Sequence, residues 1–284
     1  MDFYIIIPAH NEEAYIGKML QSIVEQTILP KKVVVVNDAS TDDTQKIVDQ
    51  FSRQYPFIQS VFHNSEALHE PGSKVVNAFY KGLEMLDSDF ELIGKFDADL
   101  ILPKDYFQKT IQLFKADNNV GLAGGNLYIE NDGEWKFEAI SEKTKVRGPI
   151  KLYRKKCFED IGGLKKSIGW DSVDGLLAEY HGWTIKTDTS LKVKHLKPTG
   201  KVYTEASKYR QGEAFYKMRY GFWLTFIASA KLASKKNSFS FLIYTIKGFY
   251  KAKRENLEYM VSEKEGKFIR DLRWKNIFRK IGVR

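Results

Sequence analysis

Four short apolar runs, each followed by apolar residues at helical spacing, constrain this chain more than any other feature. Phe3 to Ile7, closed by Pro8, is the first run, and Ile16, Met19, Leu20, Ile23 and Val24 follow on one helix face. Val33 to Val36 precedes a helix through Ile47, Val48 and Phe51. Ile58 to Phe62 leads through a polar loop with Gly72 to a helix carrying Val75, Val76, Phe79, Leu83 and Leu86, and Leu92 to Phe96 is the fourth run. Continuous apolar runs of this length suit strands buried on both faces. Their alternation with helices implies βαβ units, right-handed crossovers and a parallel sheet. Asn11, and Ser40 or Thr41, are expected as helix caps. The first strand is followed by neither a G-x-G-x-x-G nor a P-loop spacing, so both of those phosphate-binding fingerprints are missing.

The fourth run ends in Asp97-Ala98-Asp99. On a buried strand these carboxylates emerge at the C-terminal edge, where open α/β sheets bind ligands. Two such acids repel each other unless a cation lies between them, and their hard oxygens suit Mg²⁺ or Mn²⁺. The competing reading is a helix cap ahead of Leu100 and Pro103.

Past Pro103 the spacing of Phe107, Ile111 and Phe114 predicts a helix. Val120 to Ile129, with Gly121, Gly124 and Gly125, reads as a strand or strand pair with close backbone approach. Residues 130–145 are polar and charged, carry the turn signal Asn131-Asp132-Gly133, and read as a mobile loop. Ile150 to Tyr153 resumes a strand. Cys157 to Ile161 forms a short helix ended by Gly162-Gly163. Ile168 to Asp174 enters a helix through Leu176, Leu177 and Tyr180, stopped by Gly182, and Trp183–Lys186 and Leu191–His195 are expected as short strands.

Charge divides the chain. From Glu205 to Arg284 there are 19 Lys+Arg and 7 Asp+Glu, so 19 − 7 gives +12, whereas the whole chain carries +9. The split suggests two modules, 1–204 and 205–284. The single cysteine, Cys157, excludes a disulfide framework and suits a reducing compartment. The N-terminus has no basic stretch before its short apolar run and does not read as a signal peptide. In the second module Phe215 to Ala230 is aromatic but interrupted by Lys217 and Arg219, and Ser238 to Ile246 is apolar until Lys247. Neither uncharged run reaches the ~17–25 residues that cross a bilayer. Paired amphipathic helices are expected, with Tyr216, Tyr220, Phe222, Trp223 and Phe226 on one side, and a basic, amphipathic stretch from Phe268 to Lys280. Their basic residues favour anionic lipid headgroups; nucleic acid is not the expected partner.

The motifs together resemble the family 2 inverting glycosyltransferases, with the GT-A fold: a Rossmann-like, mostly parallel α/β sheet flanked by helices, here with a C-terminal helical extension. The resemblance rests on Pro8-Ala9-His10-Asn11-Glu12-Glu13, Val36-Asn37-Asp38-Ala39-Ser40-Thr41-Asp42, Gly72-Ser73-Lys74-Val75-Val76-Asn77, Asp97-Ala98-Asp99, Gly162-Gly163 and Gly169-Trp170-Asp171, in order over roughly residues 1–200. It implies that Pro8, Ala9, His10 and Glu12 cradle a nucleotide, that Asp38 binds base or ribose, and that Gly72 and Lys74 approach the diphosphate. By the same resemblance Asp99 binds a divalent metal, Mn²⁺ or Mg²⁺, Asp97 binds ribose or metal, and His195 supplies a third metal ligand. The catalytic base falls to Asp171 or Asp174, with Trp170 standing where the family usually has Glu. The bland alternatives are a solvated loop histidine for His10, a helix-capping aspartate for Asp38, a surface lysine for Lys74, a helix-start charge for Asp174 and a structural histidine for His195.

The resemblance therefore implies a metal-dependent inverting transferase acting on a nucleotide-diphosphate sugar, most commonly a UDP-sugar. The acceptor would be a carbohydrate or lipid-linked hydroxyl, in surface-polysaccharide or glycolipid assembly. The expected location is cytoplasmic, peripheral on the inner face of the membrane. The alternatives are a non-catalytic membrane-associated scaffold and a sugar nucleotidyltransferase; the latter needs a glycine-rich, arginine-bearing loop after the first strand, which Pro8 to Glu13 does not provide.

Overall fold

β1 (Phe3–Ala9), α1 (Ile16–Val24), β2 (Lys32–Asp38), α2 (Thr44–Gln54), β3 (Ile58–His63), α3 (Ser73–Leu83) and β4 (Leu92–Phe96) alternate as the apolar runs predict. The computed structural model describes residues 1–64, 73–139, 142–197, 209–280 and 282. β1 pairs in parallel with β2 and β4, and β2 with β3. Phe3 to Ile7 and Val33 to Val36 are fully buried, and α1 turns Ile16, Met19, Leu20 and Ile23 onto the sheet. Parallel pairing brings the loops after β1, β2 and β4 to one edge.

The expected caps serve another purpose. α1 starts at Ile16, while Asn11 adopts a left-handed φ of 53°, which Asn tolerates. Its Oδ1 accepts the Thr41 N–H at 2.8 Å, and Ser40 Oγ accepts the Asn11 N–H at 3.0 Å. α2 starts at Thr44, whose N–H goes to Asp42 Oδ1 at 3.0 Å. These side chains tie the first edge loop to the second.

β5 (Leu100–Ile101), α4 (Tyr106–Ala116), β6 (Val120–Asn131), β7 (Glu134–Phe137), β8 (Ile150–Arg154), α5 (Lys155–Asp160), α6 (Trp170–Tyr180) and β9 (Thr184–His195) complete the sheet domain. The strand order is β3-β2-β1-β4-β8-β6-β9-β5, with β7 beside β6. β8 runs antiparallel between β4 and β6, and β9 pairs in parallel with β6. Two expectations change here. Residues 130–137 are not loop: Asp132 and Gly133 take positive φ, and β6 and β7 close a hairpin with Glu130 opposite Trp135. Trp183–Lys186 and Leu191–His195 fall on one strand, β9, whose register with β6 slips at bulges, so intervening polar residues do not end it.

Among the described residues four helices follow: α7 (Arg210–Lys217), α8 (Gly221–Lys235), α9 (Phe239–Arg254) and α10 (Glu263–Lys280). The 204/205 boundary lies outside the described residues. Gly212 faces the backbone of Thr245 and Phe249, and Gly248 that of Tyr209, so α7 and α9 cross where a Cβ has no room. Ala214, Phe215, Met218 and Tyr220 join the core of the sheet domain. The expected one-sided row of aromatics divides: positive φ at Arg219 and Gly221 breaks the chain, so Tyr216 and Tyr220 are buried while Trp223 and Phe226 are exposed. α10 does not collect its apolar residues on one face; Ile269 is buried and Phe278 exposed. Among the described residues no helix is long and apolar enough to cross a membrane.

Candidate active site

The Asp97-Ala98-Asp99 segment leaves β4 at the sheet edge, and β5 immediately pairs with the end of β9, placing Leu100 opposite His195. The Leu196 N–H donates to the Asp99 carbonyl at 2.8 Å and fixes the crossing. One ligand atom from each of Asp97, Asp99 and His195 lies within 4.8 Å of the others. Asp99 Oδ2 is 3.5 Å from His195 Nε2. Asp99 Oδ1 is buried and meets no hydrogen-bond donor among the described residues. An orphaned buried carboxylate oxygen is costly, and a divalent cation would satisfy it. The donor set, two carboxylates and an imidazole, is of the kind that holds a divalent metal ion.

Glu138, just past β7, supports this corner. His195 Nδ1–H donates to Glu138 Oε2 at 3.1 Å, which directs Nε2 at Asp99. Arg147 holds the same Glu138 oxygen in a buried ion pair. Burial opposes a charged imidazole at His195, but the hydrogen bonds and charges of Asp99 and Glu138 outweigh it and raise the group to about 9. Lys95, buried in β4, forms an ion pair with Asp97.

The second corner is the start of α6, entered through Gly169 at φ 83°. Asp171 and Asp174 part company there. Asp174 is fully buried beneath the helix. Lys151 Nζ binds its two oxygens at 2.6 and 2.7 Å, Tyr153 Oη–H donates to it, and so does the Gly175 N–H. No oxygen of Asp174 remains for a substrate proton, because β8 already presents a lysine and a tyrosine to it. Asp171 instead reaches an open surface. It stands against a dense wall, however: a Cβ on Gly148 would lie 3.0 Å from the Asp171 Cβ. Desolvation by that wall raises the Asp171 carboxyl above the ordinary range, opposed by the charges of Lys151, Arg147 and Lys95 and reinforced by Asp174. The Trp170 ring lies near both lysine ammonium groups, 5.2 Å from Lys95 and 5.6 Å from Lys151. The aromatic face there thus attracts cations where the resemblance expected an acid.

Pro8 and Ala9 end β1 opposite Val36 and Asn37 of β2. His10 Nδ1–H donates to the Asp38 carbonyl at 2.6 Å, so this histidine braces the second loop. Asp38 is buried at the end of β2. Glu12 is half-buried; Lys197 binds its Oε1 at 2.6 Å and its Oε2 is buried without a partner among the described residues. Desolvation raises the Glu12 carboxyl against the pull of Lys197, and the charges of Asp99 and Asp97 raise it further. Lys74 sits half-buried in the first turn of α3, and Gly72 lies outside the described residues. Burial pushes the Cys157 thiol up to about 12, which removes it as a nucleophile at neutral pH.

Lys95, Lys151 and Glu138 were not singled out by the sequence reading. The two lysines looked like ordinary strand residues. Glu138 fell in the supposed loop, although Asn131-Asp132-Gly133 before Trp135 and Phe137 is a hairpin signal.

Known proteins match this chain as follows. The model for "Glycosyl transferase family 2" matches residues 4–165. A curated relative, the beta-monoglucosyldiacylglycerol synthase of Synechocystis, is 24% identical over 261 residues, 84% of this chain and 53% of that protein. The chain spans about half the length of the curated relatives it matches. A structure of S. aureus TarS 1–349 in complex with UDP-GlcNAc superposes with a TM-score of 0.56 at 23% identity, over 77% of this chain and 65% of that one. The Pyrobaculum calidifontis mannosyltransferase PcManGT, in complex with GDP-Man and Mn²⁺, gives 0.59 at 18% identity, over 94% and 78%.

Proposed function

The chain belongs to glycosyl transferase family 2, and we propose that it is a divalent-metal-dependent, inverting transferase moving sugar from a nucleotide-diphosphate donor to a hydroxyl acceptor. The observation that carries this reading is the orphaned Asp99 oxygen within a cluster of Asp97, Asp99 and His195. Asp99 and His195 Nε2 would hold the metal, with Asp97 beside them; Mn²⁺ or Mg²⁺ there supplies charge neutralisation for a leaving diphosphate. With a metal at Nε2, Glu138 would accept from the His195 Nδ1–H and keep the ring aligned, a supporting role typical of carboxylates behind metal-bound imidazoles.

Asp171 is the base of this mechanism. As the acceptor oxygen attacks the anomeric carbon, its proton passes to the Asp171 carboxylate, and the bonding pair to the diphosphate leaves with the nucleotide. A carboxyl raised by its surroundings takes that proton more readily than an ordinary aspartate. Asp174 holds Lys151 and the helix in place. Pro8, Ala9, His10, Glu12 and Asp38 form the nucleotide edge, with Gly72 and Lys74 toward the diphosphate. UDP-sugars are the donors proposed; the UDP-GlcNAc and GDP-Man complexes of the two structural neighbours support a nucleotide-sugar donor. The acceptor proposed is a carbohydrate or lipid-linked hydroxyl used in polysaccharide or glycolipid assembly, and a diacylglycerol-named relative supports the lipid case. The enzyme then works peripherally on an anionic membrane, on its cytoplasmic side.

Release of UDP from a panel of UDP-sugars, with Mn²⁺ or Mg²⁺, tests this. Release should stop with EDTA and fall by roughly a thousandfold or more in Asp99→Ala, since a Lewis acid on a leaving group supplies several kcal/mol. Undiminished release in both cases would end the metal assignment.

A further inference from the structure

The pair of α8 and α9 is built inside out. Towards the protein α8 buries Leu224, Thr225, Ser229 and Ala233, and α9 buries Thr245, Gly248, Phe249 and Ala252. The three buried hydroxyls are satisfied within their own helices: Thr225 donates to the Gly221 carbonyl, Ser229 to Thr225 and Thr245 to Phe241. Apart from Leu224 and Phe249, the fully turned-in side chains are small, and many of the large apolar ones point the other way. Trp223 is 68% exposed and Phe239 74%, and Phe226, Ile227, Ile243 and Tyr250 are exposed with them. A helix in water normally shows the opposite arrangement. The outward rings are continuous across the pair: Phe222 touches Trp223, Phe226 and, on α9, Tyr250.

The charge around this face is of one sign. Residues 221–254 hold seven basic residues and no acidic one, a net of +7. All seven, Lys231, Lys235, Lys236, Lys247, Lys251, Lys253 and Arg254, are exposed.

From these two observations we propose that the outer face of α8 and α9 docks on an anionic lipid bilayer, with its aromatic and aliphatic side chains in the headgroup–acyl boundary and its lysines among the headgroups. Interfacial helices have this composition, apolar and aromatic on one side with Lys and Arg around it. A second copy of the chain is a poorer occupant, because a two-fold contact would set +7 against +7 and bury lysines that interfaces avoid. Nucleic acid is poorer too: Ile227 and Ile243 suit hydrocarbon rather than base stacking.

The docked face connects to the active site. α9 crosses α7 at Gly212 and Gly248, and Ala214 of α7 and Met218 just after it lie against Gly169, which opens the helix bearing Asp171. This inference deepens the membrane part of the proposed function by naming the surface and the lipid class. It is tested without donor or acceptor, so failure of the transferase reading leaves its result intact.

The full chain is sedimented with vesicles of phosphatidylcholine alone or mixed with phosphatidylglycerol, at low and high salt. Binding should favour the anionic vesicles by roughly tenfold or more and weaken with salt. The variant Trp223→Ser/Phe226→Ser/Phe239→Ser changes only exposed side chains. It should keep the wild-type melting curve and lose vesicle binding by roughly tenfold or more. The proposal is overturned if wild type ignores anionic vesicles, if the triple variant binds as well as wild type, or if light scattering shows a dimer that the variant dissociates.

Discussion

The two corners of the site use the same residue types to opposite ends. At the start of α6, Asp174 meets a covalently fixed cation: Lys151 lies within 2.7 Å of both its oxygens, and both groups are fully buried. At the end of β4, Asp99 meets only the Nε2 of His195, 3.5 Å away, and its other oxygen has no donor among the described residues. One corner is neutralised by the chain itself. In the other, Lys95 pairs with Asp97 and Arg147 with Glu138, which leaves Asp99 only the imidazole that Glu138 also shares. Whether the chain itself satisfies both oxygens of a carboxylate, and not the presence of aspartates, separates a structural corner from one suited to an exchangeable cation. Asp171 lies between them, open to solvent but raised by its wall.

The largest expected effect tests the position of Asp171 between the corners. Asp171→Asn should lower kcat by about 10²- to 10⁴-fold, the range a general base contributes, while UDP and Mn²⁺ still bind by calorimetry. An aspartate raised above its ordinary value must be deprotonated to act, so wild-type kcat/KM should fall on acidification at a pH above the usual aspartate range. The sign for stability is opposite. The folded state binds this proton more tightly than the unfolded chain, so the carboxylate costs stability once pH exceeds the folded value. The Asn variant should therefore melt slightly higher than wild type at neutral pH. An Asn variant with wild-type kcat would remove Asp171 from the mechanism.

A smaller effect separates the two corners directly. Lys151→Met strips Asp174 of its cation and should destabilise the protein by about 3–5 kcal/mol in urea denaturation, the cost of leaving one partner of a buried pair. The double change Lys151→Met/Asp174→Leu should recover much of it. Asp99→Ala, in the corner whose oxygen is already unsatisfied, should shift the same curve far less. Equal losses would mean that both corners are structural.

The smallest effect sharpens the metal corner. Glu138→Leu removes the acceptor behind His195 and should weaken Mn²⁺ binding, read by electron paramagnetic resonance of the free ion, about 10- to 100-fold. Glu138→Gln, which keeps an acceptor oxygen, should weaken it less. Unchanged affinity in the Leu variant would leave Glu138 as a partner of Arg147 alone.

Much of this was legible in the chain because it is local. The four apolar runs and their helices follow from side-chain spacing over a few residues, and Asp97 and Asp99 announce themselves one residue apart at a strand end. His10 was legible as an edge residue, but its ring binds the Asp38 carbonyl, a contact set by the pairing of β1 with β2. Trp170 broke the expected motif, and only the fold supplies its neighbours Lys95 and Lys151.

By itself, then, the sequence determined the βαβ half, the sheet edge, the carboxylates there and the basic character of the last four helices. Each depends on residue spacing or on counting charge. Tertiary structure decided what those groups face. The pairing of β5 with β9 brought His195 to Asp99, a hairpin brought Glu138 to His195, and β8 buried Lys151 against the carboxylate of Asp174 and only the backbone carbonyl of Asp171. Tertiary packing also turned the aromatics of α8 and α9 outward. The free energy of a charge or a ring depends on its surroundings, and those surroundings come from residues distant in the chain.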